Sequence, residues 1–180
     1  MKTFREDVER AVAFHGHLCS GQCLGVKMAH MGMRLIGIDN ENKDDLKKIM
    51  VFVECNRCPA DAIMIATGCR IGKRTYYFKD MGKMAATFLN LETGKAVRVY
   101  SKRKRYAADG EDMIDFYTRL PEEEILEAQE VTITLGKGDW PGPPACAEIC
   151  TCCGEEVLDD RHVIAEGETL CKACAGERYY

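Results

Sequence analysis

Eleven cysteines in a 180-residue chain, grouped rather than scattered, constrain this sequence more than any other feature. Cys19 and Cys23 stand near the start, Cys55, Cys58 and Cys69 follow, and after a long gap come Cys146, Cys150, Cys152, Cys153, Cys171 and Cys174. An odd number cannot all pair within one chain. The opening Met1-Lys-Thr-Phe-Arg-Glu-Asp-Val-Glu-Arg10 alternates charges where an export signal would place an apolar core, so a cytoplasmic location is the expectation. Thiols stay reduced there, and the clusters then point to metal or redox chemistry rather than to a disulfide scaffold. Apolar runs end well before the ~20 residues a membrane span needs. No membrane role is expected.

The last cluster is the most specific. Cys150-Thr-Cys152-Cys153 is followed by Cys171-Lys-Ala-Cys174, and doubled two-residue gaps at this separation suit one tetrahedral four-thiolate ion. Cys150, Cys153, Cys171 and Cys174 are the expected ligands, with Cys152 competing for the place of Cys150 and Cys146 standing apart. Structural zinc is the default occupant, because so short a segment has too few apolar groups to fold without a staple. Residues 147–180 hold eight acidic groups against three basic ones, and four thiolates around a dication add further negative charge. Phosphates would be repelled, so no nucleic acid is expected as a partner.

Upstream, the pattern is of mixed helices and strands. Phe4, Val8, Ala11 and Val12, then Leu24, Met28, Met31 and Leu35, recur at helical spacing, while Gly25 and Gly32 permit close packing. Residues 49–54 read as a buried strand, Pro59 opens a helix closed by Gly68, and residues 75–79, 85–90 and 95–101 read as strands. An acidic helix is expected from Pro121 to about Gln129, with a strand through Val131, Ile133 and Leu135. The expected architecture is α+β, with helices packed on a mainly antiparallel sheet and a small C-terminal zinc ribbon. Residues 1–136 form the first domain in this reading, the Gly/Pro-rich 137–146 a stiff linker, and 147–180 the ribbon.

Phe14-His15-Gly16-His17-Leu18-Cys19-Ser20-Gly21 places two imidazoles and a thiol on a glycine-punctuated helix joint, where three donors can converge on one point. Here the sequence resembles the FmdE family, associated with formylmethanofuran dehydrogenase. The first block runs from Phe14 to Gly21 and on to Gly25-Val26-Lys27. A second comprises Cys58-Pro-Ala-Asp61-Ala62-Ile63-Met64, Thr67-Gly68-Cys69-Arg70-Ile71-Gly72-Lys73 and Asp80-Met-Gly82-Lys83. Ser20 stands where the family commonly has proline, Met64 where it has glutamine, and Arg70 and Arg74 replace threonine and glycine.

The resemblance implies an α+β domain, often a homodimer, with a metal in a cleft lined by both blocks. His17, Cys19 and Cys58 are the implied ligands of a second transition metal, zinc or another, with His15 an alternate ligand or an orienting group. Asp61, Cys69 and Lys73 are the implied catalytic or cleft groups. The role implied is in one-carbon or molybdenum/tungsten redox metabolism, within an oxidoreductase complex or on a small anionic molecule. Metal sensing or protein docking without catalysis is an alternative, as is a cysteine nucleophile at Cys19 activated by His17 or His15. Cys23 and Cys55 read as packing thiols. Gly68 to Arg74 is too short for a phosphate-binding loop. The basic run Lys102 to Arg105 is isolated in a chain of pI about 5.6, and reads as a solvated loop or as a patch that attracts an anionic cofactor or acidic surface.

Overall fold

A computed structural model describes residues 2–102 and 105–180. The chain divides into two compact units, Met1–Ile133 and Thr134–Tyr180. The first is α+β. Helices α1 (Phe4–His15) and α2 (Ser20–Ile36) lead into strand β1 (Ile49–Val53), helix α3 (Cys58–Thr67) and strand β2 (Tyr76–Phe78). The hairpin β3 (Ala85–Asn90) and β4 (Ala96–Ser101) follows, then α4 (Met113–Arg119), α5 (Glu122–Ile125) and β5 (Leu126–Val131). The sheet order is β2-β1-β3-β4-β5, with β1 and β2 parallel and every other pair antiparallel. Only the parallel pair needs a crossover, and α3 supplies it.

Each helix of the core layer has a legible cause. Thr3 caps α1 in a reciprocal box with Glu6, and Gly16 closes it at φ 97°. Central strand β3 is buried along its whole length, and its Phe88 meets α2 where Gly32 leaves room: a Cβ there would lie 2.2 Å from the Phe88 ring. Gly25 does the same for α3, since its Cβ would fall 2.6 Å from the Pro59 carbonyl oxygen. Val8, Val26, Met33, Ile49, Val51 and Val97 complete one core between helices and sheet.

The acidic segment departs from expectation. The helix after Pro121 lasts a single turn, and the strand begins at Leu126 rather than near Val131. Glu, Ala and Gln favour a helix locally, but pairing of Leu126 with Ser101 buries Leu126 and turns Glu127 outward, so sheet pairing overrides propensity. Helix α4 is too short to declare itself by periodicity; Asp112 caps it by accepting from the Asp115 amide at 2.8 Å. Lys27 is buried and donates to the Leu120 carbonyl at 2.7 Å, satisfying the end of α4.

One polar centre is fully enclosed. Asp7 on α1 accepts from Arg10, from His30 Nε2 on α2 at 2.8 Å and from Asn40 Nδ2 at 2.7 Å. The second unit contains two small hairpins, β6 (Ala147–Ile149) with β7 (Glu156–Leu158) and β8 (Val163–Ala165) with β9 (Glu168–Leu170). Part of the segment read as a linker folds against them, for Gly138 is buried beside the Asp159 carbonyl and Asp139 pairs with Arg161.

The close helix approach and the buried carboxylate can each be tested by substitution. Gly25→Ala gains at most ~1 kcal/mol of helix propensity but overpacks backbone at a cost of about 1–3 kcal/mol, so thermal denaturation should show a lower midpoint. A midpoint at or above wild type would mean that α3 can retreat freely. Asp7→Ala strips three donors of their acceptor and should cost about 3–5 kcal/mol in urea unfolding; a loss under ~1 kcal/mol would show the network to be incidental.

Candidate metal centres

The joint between α1 and α2 is tight because Gly16 takes the left-handed conformation while its amide donates to the Val12 carbonyl at 2.8 Å. His15 ends α1, and Cys19 is the N-cap of α2 in extended conformation, with its side chain making no cap hydrogen bond. One ligand atom each from His15, His17 and Cys19 lies within 4.8 Å of the other two. The two imidazole centroids are 4.6 Å apart.

The second sequence block meets this joint through α3. Asp61 Oδ2 sits 2.8 Å from His15 Nδ1, so the carboxylate accepts the Nδ1 proton and leaves the Nε2 lone pair free to act as a donor. His15 Nε2 is buried and has no hydrogen-bond partner among the described residues. A buried, partnerless nitrogen is costly unless something else engages it. The donor set fits a transition metal: imidazole nitrogen and thiolate sulfur are borderline and soft ligands.

Cys58, the first residue of α3, adjoins Cys19 rather than the imidazoles. Burial pushes its thiol up, and its hydrogen bond with Cys19 acts in the same direction. This approach depends on Gly21, whose Cβ would lie 2.9 Å from the Cys58 Cβ. Gln22, fully buried, donates from Nε2 to the Cys58 carbonyl at 2.8 Å and fixes the start of α3. Sequence reasoning missed Gln22; its signal is a long polar side chain on the apolar face of α2.

A cavity of about 250 Å³ opens beside the two thiols. Leu24, Met84, Tyr117 and Ile125 form apolar wall, Arg57 supplies positive charge, and Arg105 lines the cavity while paired with Glu124 at 3.1 Å. Arg103 and Lys104 of the basic run lie outside the described residues. Cys69 and Lys73 are not brought to the cavity. Cys69 is 2% exposed, its thiol donates to the Ile49 carbonyl at 3.7 Å, and burial pushes its pKa up to about 11, which suits packing rather than chemistry. Lys73 is exposed on a 3₁₀ turn, Ile71–Lys73. Cys23 and Cys55 are both buried, and burial pushes Cys23 to about 12.

In the second unit the sulfurs of Cys150, Cys153, Cys171 and Cys174 lie within 4.8 Å of one another. Gly154 at φ 75° turns the first knuckle, its amide donating to the Cys150 carbonyl at 2.9 Å. In the second knuckle the Cys174 amide donates to Cys171 Sγ at 3.4 Å. Backbone amides of Cys171 and Cys153 hold the Cys150 thiol down to about 6, favouring the thiolate that binds metal. Cys152 is exposed and outside the group. Cys146, expected to stand apart, instead clusters with Asp160 and His162.

Comparison with known proteins agrees with this two-part geometry. Residues 147–180 match the prokaryotic dksA/traR C4-type zinc finger, and the four clustered cysteines there are those of a zinc ribbon. An Archaeoglobus fulgidus protein described as a probable S-adenosyl-L-methionine-binding protein is 38% identical over 92 residues, 51% of this chain. The chain covers 25% of that relative's length. A solved structure from Syntrophus aciditrophicus, described as a tungsten formylmethanofuran dehydrogenase FmdE-like protein, shares the fold with a TM-score of 0.60 at 22% identity, over 99% of this chain and 95% of its own. Residues 14–132, about two thirds of the chain and including both the His15-to-Cys19 joint and Cys58, match the family model FmdE of the molybdenum formylmethanofuran dehydrogenase operon, and the chain belongs to that family.

Proposed function

We propose that the first unit is a transition-metal site serving a small anionic ligand, in one-carbon or molybdenum/tungsten redox metabolism. The observation that carries this reading is His15 Nε2, buried and partnerless while Nδ1 is fixed by Asp61. A bound carboxylate on the far nitrogen is the usual way a protein orients a metal-ligating histidine. His15, His17 and Cys19 are the proposed ligands, and Cys58 joins them through its contact with Cys19. This reading gives His15, an alternate ligand by resemblance, a place beside His17.

When bound, the metal supplies Lewis acidity and an exchangeable ligand position. The protein's own residues do the rest. Asp61 holds the His15 proton on Nδ1, Gln22 anchors the Cys58 backbone, and Leu24 and Tyr117 keep water from one side of the cavity. At about 250 Å³ the cavity lies below the roughly 300–1,000 Å³ of drug-sized ligand sites, which favours a molecule of a few heavy atoms over a nucleoside. Arg57 on its wall favours negative charge, while Arg105 there is paired with Glu124.

The comparisons support the metabolic setting: the family model is named for a formylmethanofuran dehydrogenase operon, and the solved relative is described as FmdE-like. Association with a dehydrogenase complex and assembly as a homodimer belong to the same proposal. For the ribbon, the excess of acidic over basic groups in residues 147–180 favours docking to a protein over binding nucleic acid.

Elemental analysis of extensively dialysed, anaerobically purified full-length protein should find two tightly held ions. Cys19→Ser should lose one and keep the ribbon's, and Cys171→Ser should do the reverse; a single ion untouched by Cys19→Ser would sink the cleft site. Asp61→Asn should weaken cleft metal affinity by about 10–100-fold in chelator competition, since it removes the carboxylate that orients His15. Unchanged affinity would reject the orienting role.

A further inference from the structure

The strongest unassigned cluster lies in the second unit. One ligand atom each from Cys146, Asp160 and His162 falls within 4.8 Å of the other two, and none belongs to the four-thiolate group. Backbone contacts build the cluster. The Asp159 amide donates to the Cys146 carbonyl at 3.0 Å, and the Asp160 amide donates to Cys146 Sγ at 3.2 Å. Asp159 and Asp160 both adopt the left-handed conformation, φ 60° and 55°, and this pair of residues folds the chain after β7 back beneath Cys146. Cys146 Sγ and Asp160 Oδ1 are 2.9 Å apart.

One further observation points to a ligand. His162 Nδ1 is buried and has no hydrogen-bond partner among the described residues. Without metal the Cys146 thiol donates to the Asp160 carboxylate, and a cation bound here would take the place of that proton. Arg161, between the two donors in sequence, pairs with Asp139.

We propose that Cys146, Asp160 and His162 form a separate, exchangeable zinc site. Sulfur, nitrogen and oxygen donors of this kind suit a borderline dication such as Zn²⁺ and disfavour Mg²⁺ or Ca²⁺, which prefer all-oxygen shells. Tetrahedral zinc with bonds of about 2.0–2.3 Å sets its ligands about 3.5 Å apart, so movement of the order of an ångström closes the shell. Three donors with one thiolate bind more weakly than four thiolates, which makes this ion the one that exchanges. Cys146 precedes β6 and Cys150 follows it; at roughly 3.3 Å per residue the two sites are about 13 Å apart, too far to share ligands. The hairpin β6–β7 thus has a permanent ion at its turn and an exchangeable one at its open end, where occupancy ties the start of β6 to the entry of β8. Such a module responds to free zinc while its fold stays in place.

The test uses the full-length protein, reduced and dialysed so that tightly bound metal remains. Iodoacetamide labelling, read by peptide mass spectrometry with and without added Zn²⁺, compares Cys146 with the exposed Cys152 as an internal control. Zinc should slow Cys146 labelling by one plus the ratio of free zinc to its dissociation constant, about tenfold at ten times that constant, and leave Cys152 unchanged. His162→Gln and Asp160→Asn should each abolish the protection without altering Cys146 itself. Equal labelling of Cys146 with and without zinc would overturn the site. So would protection that survives both substitutions, or slowing shared equally by Cys152. None of these readings depends on the cleft metal of the first unit.

Discussion

Helices α2 and α3 approach each other at the level of their backbones, and the placement of Cys19 beside Cys58, in the proposed metal site, depends on that approach. Gly21 and Gly25 lie one turn apart on α2, facing Cys58 and Pro59 at the start of α3. Any larger side chain there would force the helices apart by about the size of a methyl group. Cys19, just before α2, and Cys58, at the first position of α3, would then separate, because each is carried by the end of its helix. The glycines cost helix propensity, roughly 0.5–1 kcal/mol each, and the return is geometric. Gln22, between the glycines, completes the device by holding the Cys58 carbonyl.

The Asp7 centre serves the same end from the other side. A buried carboxylate is a poor source of net stability, since desolvation offsets most of what its partners return. What it does fix is direction: His30 on α2 and Asn40 beyond it bond the same carboxylate on α1. The two helices are thereby set in register, and His15 at the end of α1 arrives where Asp61 can accept its proton. Apolar packing alone would tolerate a slide of α1 that this arrangement does not.

Much of this was legible in the sequence. The four-thiolate ribbon follows from doubled spacing, and the His-Gly-His-x-Cys joint from donor types that rarely occur together without cause. Helices α1 to α3 and the β3–β4 hairpin follow from periodicity and from glycine stops. What periodicity cannot carry is competition between local and distant partners. Leu126 to Gln129 looks helical until β4 is there to pair with it, and Cys69, a cleft candidate by resemblance, lies where the core closes over it. Asp160 and His162 escaped notice for a different reason. Their link to Cys146 runs through a turn of two left-handed aspartates, and no residue spacing announces a turn of that shape.

The ribbon's four-thiolate site and the proposed cleft site would differ in charge, and this would separate their chemistry. Four thiolates around a dication leave a net double negative charge on a segment that is already acidic, so the ribbon's ion is saturated and surrounded by repulsion for any anion. Two neutral imidazoles with the Cys19 thiolate around the same ion would leave one positive charge, which the Asp61 carboxylate on His15 offsets, and a second thiolate from Cys58 would leave the group singly negative. Residues 1–146 are nearly balanced in acidic and basic groups. Arg57 lines the cavity and supplies positive charge, whereas Arg105 on the same wall is paired with Glu124. Low-dielectric walls such as Leu24 and Ile125 strengthen the field of Arg57, because charge facing them is poorly screened. On the proposed reading an anion would therefore meet less repulsion in the cleft than at the ribbon, whose four thiolates would leave no open position on their ion.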